Sequence, residues 1–269
     1  MPELPEMETY RQLLIPRLAG KAVTGVQIER EKSINVPAAD FTAAVLGVRV
    51  QGISRRAKHL LFHMEQNRVL LLHLMLGGAM VWGTPEERPN RTVQVELAFG
   101  GDRLYFIGLR LGYLHLHQEE EAVRLLRKLG PEPFDPAFTE REFIGLFGQK
   151  RGYLKTALVD QSVLSGIGNC YSDEICFTAG ILPQRKLDSL SEEELVRLFQ
   201  AMRSTLSEAA SHGGYMDIPL FKGDTLTGGF DPLCRVYDRE GEPCVRCGTA
   251  IARVDFASKK SFSCPGCQH

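Results

Sequence analysis

Residues 158–180 read LVDQSVLSGIGNCYSDEICFTAG, and this stretch decides how the second half of the chain folds. Its apolar spacing predicts two helices joined by a small-residue turn at 165–168. Asn169 is placed to cap the second helix. The turn ends in Gly168, and its small residues leave backbone N–H groups bare at a helix start, an arrangement that suits a phosphate group.

Two basic residues precede this stretch, Arg151 and Lys155. Taken alone, residues 158–180 are more simply explained as an ordinary helical hairpin. Positive charges just upstream favour the phosphate site, because they would line the same path.

Downstream, four of the seven cysteines fall into two Cys-x-x-Cys pairs separated by 16 residues: Cys244 with Cys247, and Cys264 with Cys267. In an intracellular chain this spacing indicates a metal site rather than disulfides. Four thiolates on two tight turns can close a tetrahedron around one Zn²⁺ at about 2.3 Å per bond. Chance pairs of buried cysteines are the alternative. A four-thiolate site has no open position, so the sequence predicts a structural zinc ribbon without catalysis.

The segment between the two pairs, TAIARVDFASKKSFS at 249–263, predicts a β-hairpin. Arg253, Lys259 and Lys260 lie near its ends. A solvated basic turn and a finger that grips phosphates both remain open from the ribbon alone.

The first half of the chain predicts one helix and a β-rich body. LPEMETYRQLLIPRL at 4–18 has an amphipathic helical pattern closed by Gly20. Residues 59–76 and 93–108 each predict a hairpin, the second turning at Gly100–Gly101.

Beyond a turn-rich boundary at 129–136 the pattern becomes helical. Helices are predicted at 138–148 and 191–213, the second opened by a capping box of Ser191 and Glu194. The Gly-rich residues 214–232 predict an irregular, mobile loop.

The composition is that of an ordinary globular protein, with 269 residues, 43% hydrophobic and 24% charged. The length suits two domains or one large one. No apolar run reaches the ~18–20 residues of a membrane span, and no export signal opens the chain. We therefore expect a soluble intracellular protein without membrane association. Because the net charge is −1, any surface that binds nucleic acid must be local.

The chain opens with MPELPE, in which Pro2 becomes the terminus if Met1 is removed. A terminal amine titrates near ~8, so a neutral fraction can act as a nucleophile at cellular pH. A secondary amine attacking a sugar C1′ gives an iminium that stays cationic and favours elimination of the 3′ phosphate. Glu3 is placed to handle a proton, and Glu6 shares its helix face. The alternative is good helix-start chemistry, a proline followed by acidic residues.

Four segments together resemble the formamidopyrimidine-DNA glycosylase / endonuclease VIII family: MPELPEMET (1–9), ISRRAKHLL (53–61), residues 160–183, and EPCVRCG with SFSCPGCQ near the end. The resemblance covers almost the whole chain. It implies an α+β fold with an N-terminal β-sandwich and a helix at 1–132. A helical domain with helix–two-turn–helix would follow at 133–233, and a zinc finger at 234–269.

The resemblance also implies roles for individual residues. Pro2 would be the Schiff-base nucleophile, Glu3 the proton carrier and Lys58 a lysine that contacts DNA and assists catalysis. Glu6 would shape the pocket. The residues implied at the DNA are His73, Leu76, Leu109, Arg110, Leu111, Lys155, Gly168, Asn169 and Lys259.

The implied activity is excision of a damaged base followed by strand cleavage at the abasic site. The base must leave the stack to be reached, which costs a few kcal/mol. The partner would be double-stranded DNA with a damaged base or abasic site. The protein would be a monomer in the cytoplasm, at the nucleoid of a bacterium, and one structural Zn²⁺ its cofactor.

Three positions depart from the family pattern, and they concern the side chains that fill the vacated stack. Leu76 stands where a methionine is usual, Leu109 replaces the arginine that probes the opposite base, and Leu111 replaces a phenylalanine wedge. Leucines can fill an apolar gap but cannot hydrogen-bond an orphaned base, a contact worth roughly 1–3 kcal/mol. We therefore expect weak selectivity for the opposite base and an atypical lesion choice, unless a neighbouring loop supplies the contacts.

The zinc hairpin departs as well, since Lys259 stands where an arginine is usual and provides no planar fork for a phosphate. Two rival functions remain. One is a DNA-damage or DNA-structure binder with little or no catalysis, and the other is a general nucleic-acid-binding zinc protein.

Overall fold

The computed structural model describes every residue from Met1 to His269 and divides the chain into two compact units. The first comprises residues 1–127 and 212–229, and the second residues 128–211 and 230–269. No helix combines the length and apolar composition that crossing a membrane requires. The predicted domain limits at 132/133 and 233/234 stay a prediction.

The first unit opens with helix α1, Leu4–Leu18, which confirms the predicted helix. A proline in its first turn suits a helix start, because the missing N–H would have no partner there. Leu4, Met7 and Leu14 are fully buried along one face. This face fixes α1 on the sheets that follow.

Two four-stranded antiparallel sheets form the body of this unit, with helices α2 (Ala38–Val45) and α3 (Glu119–Leu126) beside them. In chain order the strands are β1 (Gly25–Ile28), β2 (Val50–Arg56), β3 (His59–Met64), β4 (Arg68–His73), β5 (Ala79–Gly83), β6 (Val93–Phe99), β7 (Asp102–Ile107) and β8 (Tyr113–Gln118). One sheet has the order β1-β6-β7-β5 and the other β2-β3-β4-β8.

The two sheets share one core, which makes the unit a β-sandwich. Alternate residues of β3 point inward, and the Phe62 ring meets Phe106 of the other sheet at 6.4 Å between centroids. Both predicted hairpins are confirmed, as β3–β4 and β6–β7.

Residues 212–229 return to the sandwich after the helical part of the chain. They are irregular, as predicted, and the Asp224 carboxylate organises them. It accepts hydrogen bonds from Leu220 N at 2.9 Å, Leu226 N at 3.0 Å and the Thr227 hydroxyl at 2.6 Å. Trp82 N in β5 donates to the Leu220 carbonyl, which ties the segment to the sheet.

The second unit contains four helices, α4 (Glu140–Gly148), α5 (Leu154–Val159), α6 (Asn169–Ala179) and α7 (Glu192–Ser211). The predicted helices at 138–148 and 191–213 are thereby found with slightly shorter limits. Ser191 and Glu194 form the predicted capping box, with Glu194 N donating to Ser191 Oγ at 3.2 Å and Ser191 N to Glu194 Oε2 at 2.9 Å.

The first helix predicted within 158–180 lies instead at Leu154–Val159, and residues 160–168 form turns. Asp160 Oδ1 accepts from Ser162 N and Oγ, a local bond that competes with helix continuation. Gln161 then braces the turn, donating to the Val159 and Ile167 carbonyls and accepting from Gly166 N. The prediction placed this helix too far along the chain.

The hairpin predicted at 249–263 is present as β9 (Ala252–Phe256) and β10 (Lys259–Ser263). Its two-residue turn, Ala257–Ser258, has φ of +49° and +61°, which matches the hairpin twist. The hairpin packs on α6 through Phe177 and Phe262.

Candidate active site

The first turn of α1 places three predicted site residues together, all buried. Pro2 and Glu3 precede the helix, and Glu6 stands in its first turn. Glu3 N donates to Glu6 Oε2 at 2.7 Å, so the Glu6 carboxylate fixes the backbone beside the N-terminus.

The second oxygen of Glu6 joins this turn to residues 212–229. Tyr215 N donates to Glu6 Oε1 at 2.9 Å. Gly214, with φ +74°, lies so close that a Cβ there would stand 2.2 Å from Glu6 Oε1. Only glycine fits this approach, and Glu6 acts here by holding two backbone segments.

A tyrosine reaches the N-terminus from this segment. Tyr215 Oη donates to the Met1 carbonyl at 3.4 Å. Sequence reasoning missed Tyr215, because it treated residues 214–232 only as an irregular loop and no spacing rule points to one aromatic within it.

Lys58 is buried in the turn between β2 and β3, where Ala57 has φ +54°. Arg55 fixes this turn, donating from NH1 to the Ala57 carbonyl at 3.2 Å and from Nε to Glu8 Oε2 at 3.1 Å. Burial would raise the pKa of Glu8, but hydrogen bonds from arginine and glutamine side chains, Arg55 among them, hold it below its ordinary value. The lysine turn is thus anchored on α1.

His73, the last residue of β4, is a neutral hydrogen-bond donor. Burial, and then the charge of Lys58, lower the pKa of His73 to about 4. Its Nδ1 accepts from Met75 N at 3.1 Å, so the ring proton sits on Nε2.

The two loops with leucines at wedge positions differ in what they expose. Leu76 is 67% and Leu111 64% exposed, while Leu109 is fully buried in the sandwich core. A Cβ at Gly108 would lie 1.9 Å from the Gly77 carbonyl oxygen, so the loops pack backbone to backbone. The prediction that Leu109 contacts DNA is wrong for its side chain, because the core encloses it.

A cleft of about 580 Å³ opens beside Leu76. Its polar lining includes Arg30, Arg91, Gln94 and Arg110, and Arg110 is exposed as a phosphate contact requires. Sequence reasoning found only Arg110 among these four. The other three come from separate strands and loops, and isolated arginines or glutamines form no recognisable sequence motif.

The structure also corrects the prediction that Lys155 contacts DNA. Its side chain is 1% exposed, and its Nζ bonds Asp173 Oδ1 at 2.5 Å and the Asn169 carbonyl at 3.4 Å. The same carboxylate accepts from Ser261 Oγ and Phe262 N of β10. Lys155 therefore joins α6 to the zinc hairpin and offers no exposed charge to DNA.

Helix α6 begins with small residues, as predicted, but Asn169 is not its N-cap. Gly168 is the N-cap and Asn169 the first helical residue. Asn169 Oδ1 is buried without a hydrogen-bond partner. Lys259, at the start of β10, is exposed.

The four cysteines form a closed metal site. The Sγ atoms of Cys244, Cys247, Cys264 and Cys267 lie within 4.8 Å of one another, with 3.8 Å between Cys244 and Cys267 and 3.5 Å between Cys247 and Cys264. A tetrahedron with 2.3 Å bonds has edges of about 3.8 Å. The residues fit one structural Zn²⁺, as predicted.

Three family models match the sandwich, the helical part and the four-cysteine part of the chain. Residues 1–113 match the formamidopyrimidine-DNA glycosylase N-terminal domain and residues 129–217 its H2TH domain. Residues 241–269 match the zinc finger found in FPG and IleRS.

Individual relatives agree over the full length. The chain is 36% identical to formamidopyrimidine-DNA glycosylase of Geobacillus kaustophilus and 34% identical to that of Desulfitobacterium hafniense, with all of both chains covered in each case. The Lactococcus lactis enzyme, solved with DNA containing an abasic site, superposes with a TM-score of 0.93 at 27% identity and 99% coverage of both chains.

The sandwich, the H2TH helices and the four-cysteine finger together define a DNA-repair glycosylase fold. The chain belongs to the formamidopyrimidine-DNA glycosylase family and is a DNA glycosylase with AP lyase activity that acts in base excision repair.

Proposed function

We propose that the protein excises damaged bases by attack of the Pro2 nitrogen on C1′, then cleaves the strand, with an atypical lesion choice and little selectivity for the opposite base. The observation that carries the proposal is the first turn of α1. There Pro2 and Glu3 are buried beside Glu6, whose two oxygens hold Glu3 N and Tyr215 N.

The amine supplies the chemistry. Once Met1 is removed, Pro2 carries a secondary amine that titrates near ~8 and is partly neutral at cellular pH. Its lone pair forms the bond to C1′ as the base leaves with the former glycosidic electrons. The nitrogen then loses its proton, its lone pair forms the C1′=N bond, and the C1′–O4′ bond breaks as O4′ takes up a proton. The iminium so formed cannot lose a proton to become neutral, so it acts as an electron sink. Loss of a proton from C2′ then expels the 3′ phosphate.

Glu3 and Lys58 assist in different ways. Glu3 stands next to Pro2 and exchanges a proton with the sugar or the departing base, a role worth typically 10²–10⁴-fold in rate. Lys58 brings a fixed positive charge from a turn anchored on α1 by Arg55, and that charge stabilises phosphate or a developing anion.

DNA contacts come from scattered groups, which reconciles binding with a net charge of −1. His73 Nε2–H, Arg110, Lys259 and the N–H groups at Gly168–Asn169 are the proposed phosphate donors. Relatives from Lactococcus lactis were solved with DNA containing an abasic site, N7-benzyl-Fapy-dG or an oxidized pyrimidine. The proposed site of action is chromosomal DNA, in a bacterium at the nucleoid within the cytoplasm.

The leucine loops support the proposed loss of opposite-base readout. Leu76 and Leu111 are exposed and can fill a gap in the stack. Neither can hydrogen-bond a base, and Leu109 is enclosed by the core. The loops would therefore sense shape and stacking rather than the identity of the orphaned base.

Borohydride trapping on abasic-site duplex tests the proposal. The wild-type chain should form a covalent adduct, Pro2→Gly should lose it, and Pro16→Ala, at an exposed proline of the same helix, should retain it. Tight DNA binding without an adduct would identify a damage-binding protein instead. Mass spectrometry should show Met1 removed, and full-speed cleavage by protein that retains Met1 would contradict the mechanism.

A further inference from the structure

A second cavity, of about 270 Å³, lies between helix α3 and the edge of the sheet β2-β3-β4-β8. Strands β2 and β3 form one wall and α3 forms the other. No residue of the first turn of α1 or of the leucine loops contributes to it. We call this cavity the α3 groove, and its lining residues are Ser54, Arg56, Leu61, Val123, Leu126 and Arg127.

The strand pairing shows that the α3 groove lies outside the sandwich core. Leu60 and Phe62 belong to the core, so Leu61 between them faces the opposite side of the sheet. Ser54 is paired with Leu61 across the two strands and shares its face. Arg56, two residues farther along β2, faces the same way. The groove therefore lies on the side of the sheet that the sandwich does not use for its core.

Two pairs of a histidine and a glutamate hold α3 over this face. His63 Nδ1 lies 2.9 Å from Glu119 Oε2, and His117 Nδ1 lies 3.0 Å from Glu121 Oε2. Ser54 Oγ and His63 Nε2 are 2.6 Å apart, which extends the first pair to β2. All these contacts involve the start of α3, so they close one end of the groove and fix the distance between its walls.

The groove has an apolar middle and a cationic end. Leu61 and Leu126 form a nearly enclosed floor, whereas Val123 stays 48% exposed. Arg127 follows Val123 by four residues, at the end of α3 opposite the glutamates, and Arg56 lines the groove from β2. The Arg127 side chain is exposed, and no carboxylate pairs with it. A ligand that fits this groove must combine apolar surface with negative charge.

Size and charge together favour the carboxyl end of a protein over DNA. A volume of about 270 Å³ lies below the ~300–1,000 Å³ of pockets for whole small molecules, so the groove suits about one large side chain. DNA provides negative charge, but on a polar backbone without an apolar side chain to cover Val123. A peptide that ends in a large apolar residue provides both, because its terminal carboxylate can accept two hydrogen bonds from one guanidinium group.

We propose that the α3 groove binds the carboxyl-terminal tail of a partner protein, with an apolar last residue and acidic residues before it. The last side chain packs on Leu61, Val123 and Leu126, and its carboxylate lies at Arg56 and Arg127. The acidic residues increase the association rate through their attraction to the same arginines. This binding does not depend on the Pro2 chemistry and would attach the enzyme to a protein complex.

The test measures the fluorescence anisotropy of a fluorescein-labelled peptide, Gly-Ser-Asp-Asp-Asp-Leu-Phe with a free carboxyl end, added to the full-length protein. One comparison peptide has an amidated end, and another carries Ser-Ser in place of Leu-Phe. The variants are Val123→Asp and Arg127→Ala. Their matched controls are Leu125→Asp and Arg124→Ala, at exposed residues of the same helix that do not line the groove.

We expect saturable binding of the free-carboxyl peptide and about 10-fold weaker binding of each comparison peptide, since one lacks the charged hydrogen bonds and the other the apolar burial. Val123→Asp and Arg127→Ala should each weaken binding about 10-fold, and the two controls less than about twofold. Thermal unfolding and borohydride trapping on abasic-site duplex should be normal in all four variants.

Equal binding of the free and amidated peptides overturns the inference, and so does the lack of saturable binding below about 1 mM. If Val123→Asp weakens the binding of abasic duplex as much as that of the peptide, the groove belongs to the DNA interface instead. A dimer that Val123→Asp dissociates would identify a second copy of the chain as the occupant. Wild-type protein that binds the peptide but forms no adduct with DNA contradicts only the Pro2 mechanism.

Discussion

The first turn of α1 and the two leucine loops lie in the same compact unit and are built in opposite ways. At the helix start, Glu3 and Glu6 are buried and Glu6 hydrogen-bonds two backbone groups. In the loops, Leu76 and Leu111 are largely exposed, and neither has a polar atom beyond its backbone.

This difference separates the residues proposed to carry out the reaction from those proposed to contact the opposite base. A buried carboxylate with satisfied partners must be positioned accurately, because leaving its partners unpaired is costly. An exposed leucine can shift by a rotamer with little penalty. Substitutions at the helix start should therefore stop the reaction, whereas substitutions in the loops should mainly change which DNA is processed fastest.

The sharpest test of the helix start is Glu3→Gln. Glutamine keeps the size but cannot exchange the proton, so we expect base excision to fall roughly 10²–10⁴-fold. Single-turnover excision from a formamidopyrimidine duplex measures it, with Glu31→Gln, at an exposed acid, as control. A loss below about threefold would remove Glu3 from the proton transfers.

Gly214→Ala tests whether backbone accuracy matters at this site. The new Cβ would meet Glu6 Oε1 at 2.2 Å, and the positive φ adds roughly 1–2 kcal/mol of strain. Displacing Glu6 should lower the trapping rate about 10–100-fold. Gly223→Ala is a matched control in the same segment, with φ +89° and open space around its Cβ. Equal effects in both variants would mean that strain alone, not Glu6, explains the loss.

Much of the fold was predictable because local rules determine it. The helix at 4–18, both hairpins and the Ser191–Glu194 cap follow from periodicity and turn chemistry. The spacing of the four cysteines likewise predicts the tetrahedral metal site that they form. The turn at 160–168 escaped prediction because Asp160 and Gln161 replace helical hydrogen bonds with side-chain bonds.

The site was predictable only in part, since burial is a tertiary property. Leu109 and Lys155 were assigned to DNA by sequence position, yet one lies in the core and the other in an ion pair with Asp173. Tyr215 and Arg30 were missed because they reach their sites from distant parts of the chain.

Leu111→Ala tests whether the exposed loop leucines work as a wedge. The Leu111 side chain is proposed to fill the gap that the extruded base leaves in the stack, so its loss should slow excision about 10-fold. Burying a leucine fully is worth ~1.5–3 kcal/mol, and the effect is smaller here because the side chain stays partly exposed in the complex. The measurement is single-turnover excision. Leu46→Ala, at a leucine 48% exposed outside the loops, should leave the rate unchanged. A normal rate in both variants would contradict the wedge.

His73 connects the lysine turn to the Leu76 loop and makes a pH prediction. Its pKa is lowered to about 4 from 6.5, so the unfolded chain binds the proton more readily between these values. Stability therefore falls as pH drops from about 6.5 toward 4. His73→Gln, which cannot titrate, should lose about 2 kcal/mol less than wild type between pH 7 and 5. Urea unfolding at both pH values measures this, and identical losses would show that His73 titrates normally.

The smallest expected effect is the most diagnostic for the leucine loops. Cleavage of one formamidopyrimidine lesion opposite C, A, G and T should differ by no more than about threefold, because a bidentate base contact worth roughly 1–3 kcal/mol is missing. Leu109→Arg should not restore selectivity, since position 109 is enclosed by the core and a charge there would destabilise the sandwich.

A preference above about tenfold for one opposite base would mean that residues other than the leucines recognise that base. The cleft beside Leu76 contains candidates. Arg30 and Arg91 line the cleft beside Leu76, together with Arg110, and could reach a base there. Arg30 NH1 also donates to the Leu109 carbonyl at 3.2 Å, so it is already aligned with the loop. If Arg91→Ala abolished such a preference and Leu111→Ala kept it, the cleft rather than the leucines would recognise the opposite base. The residues that carry out the reaction would still be separate from those that recognise the opposite strand.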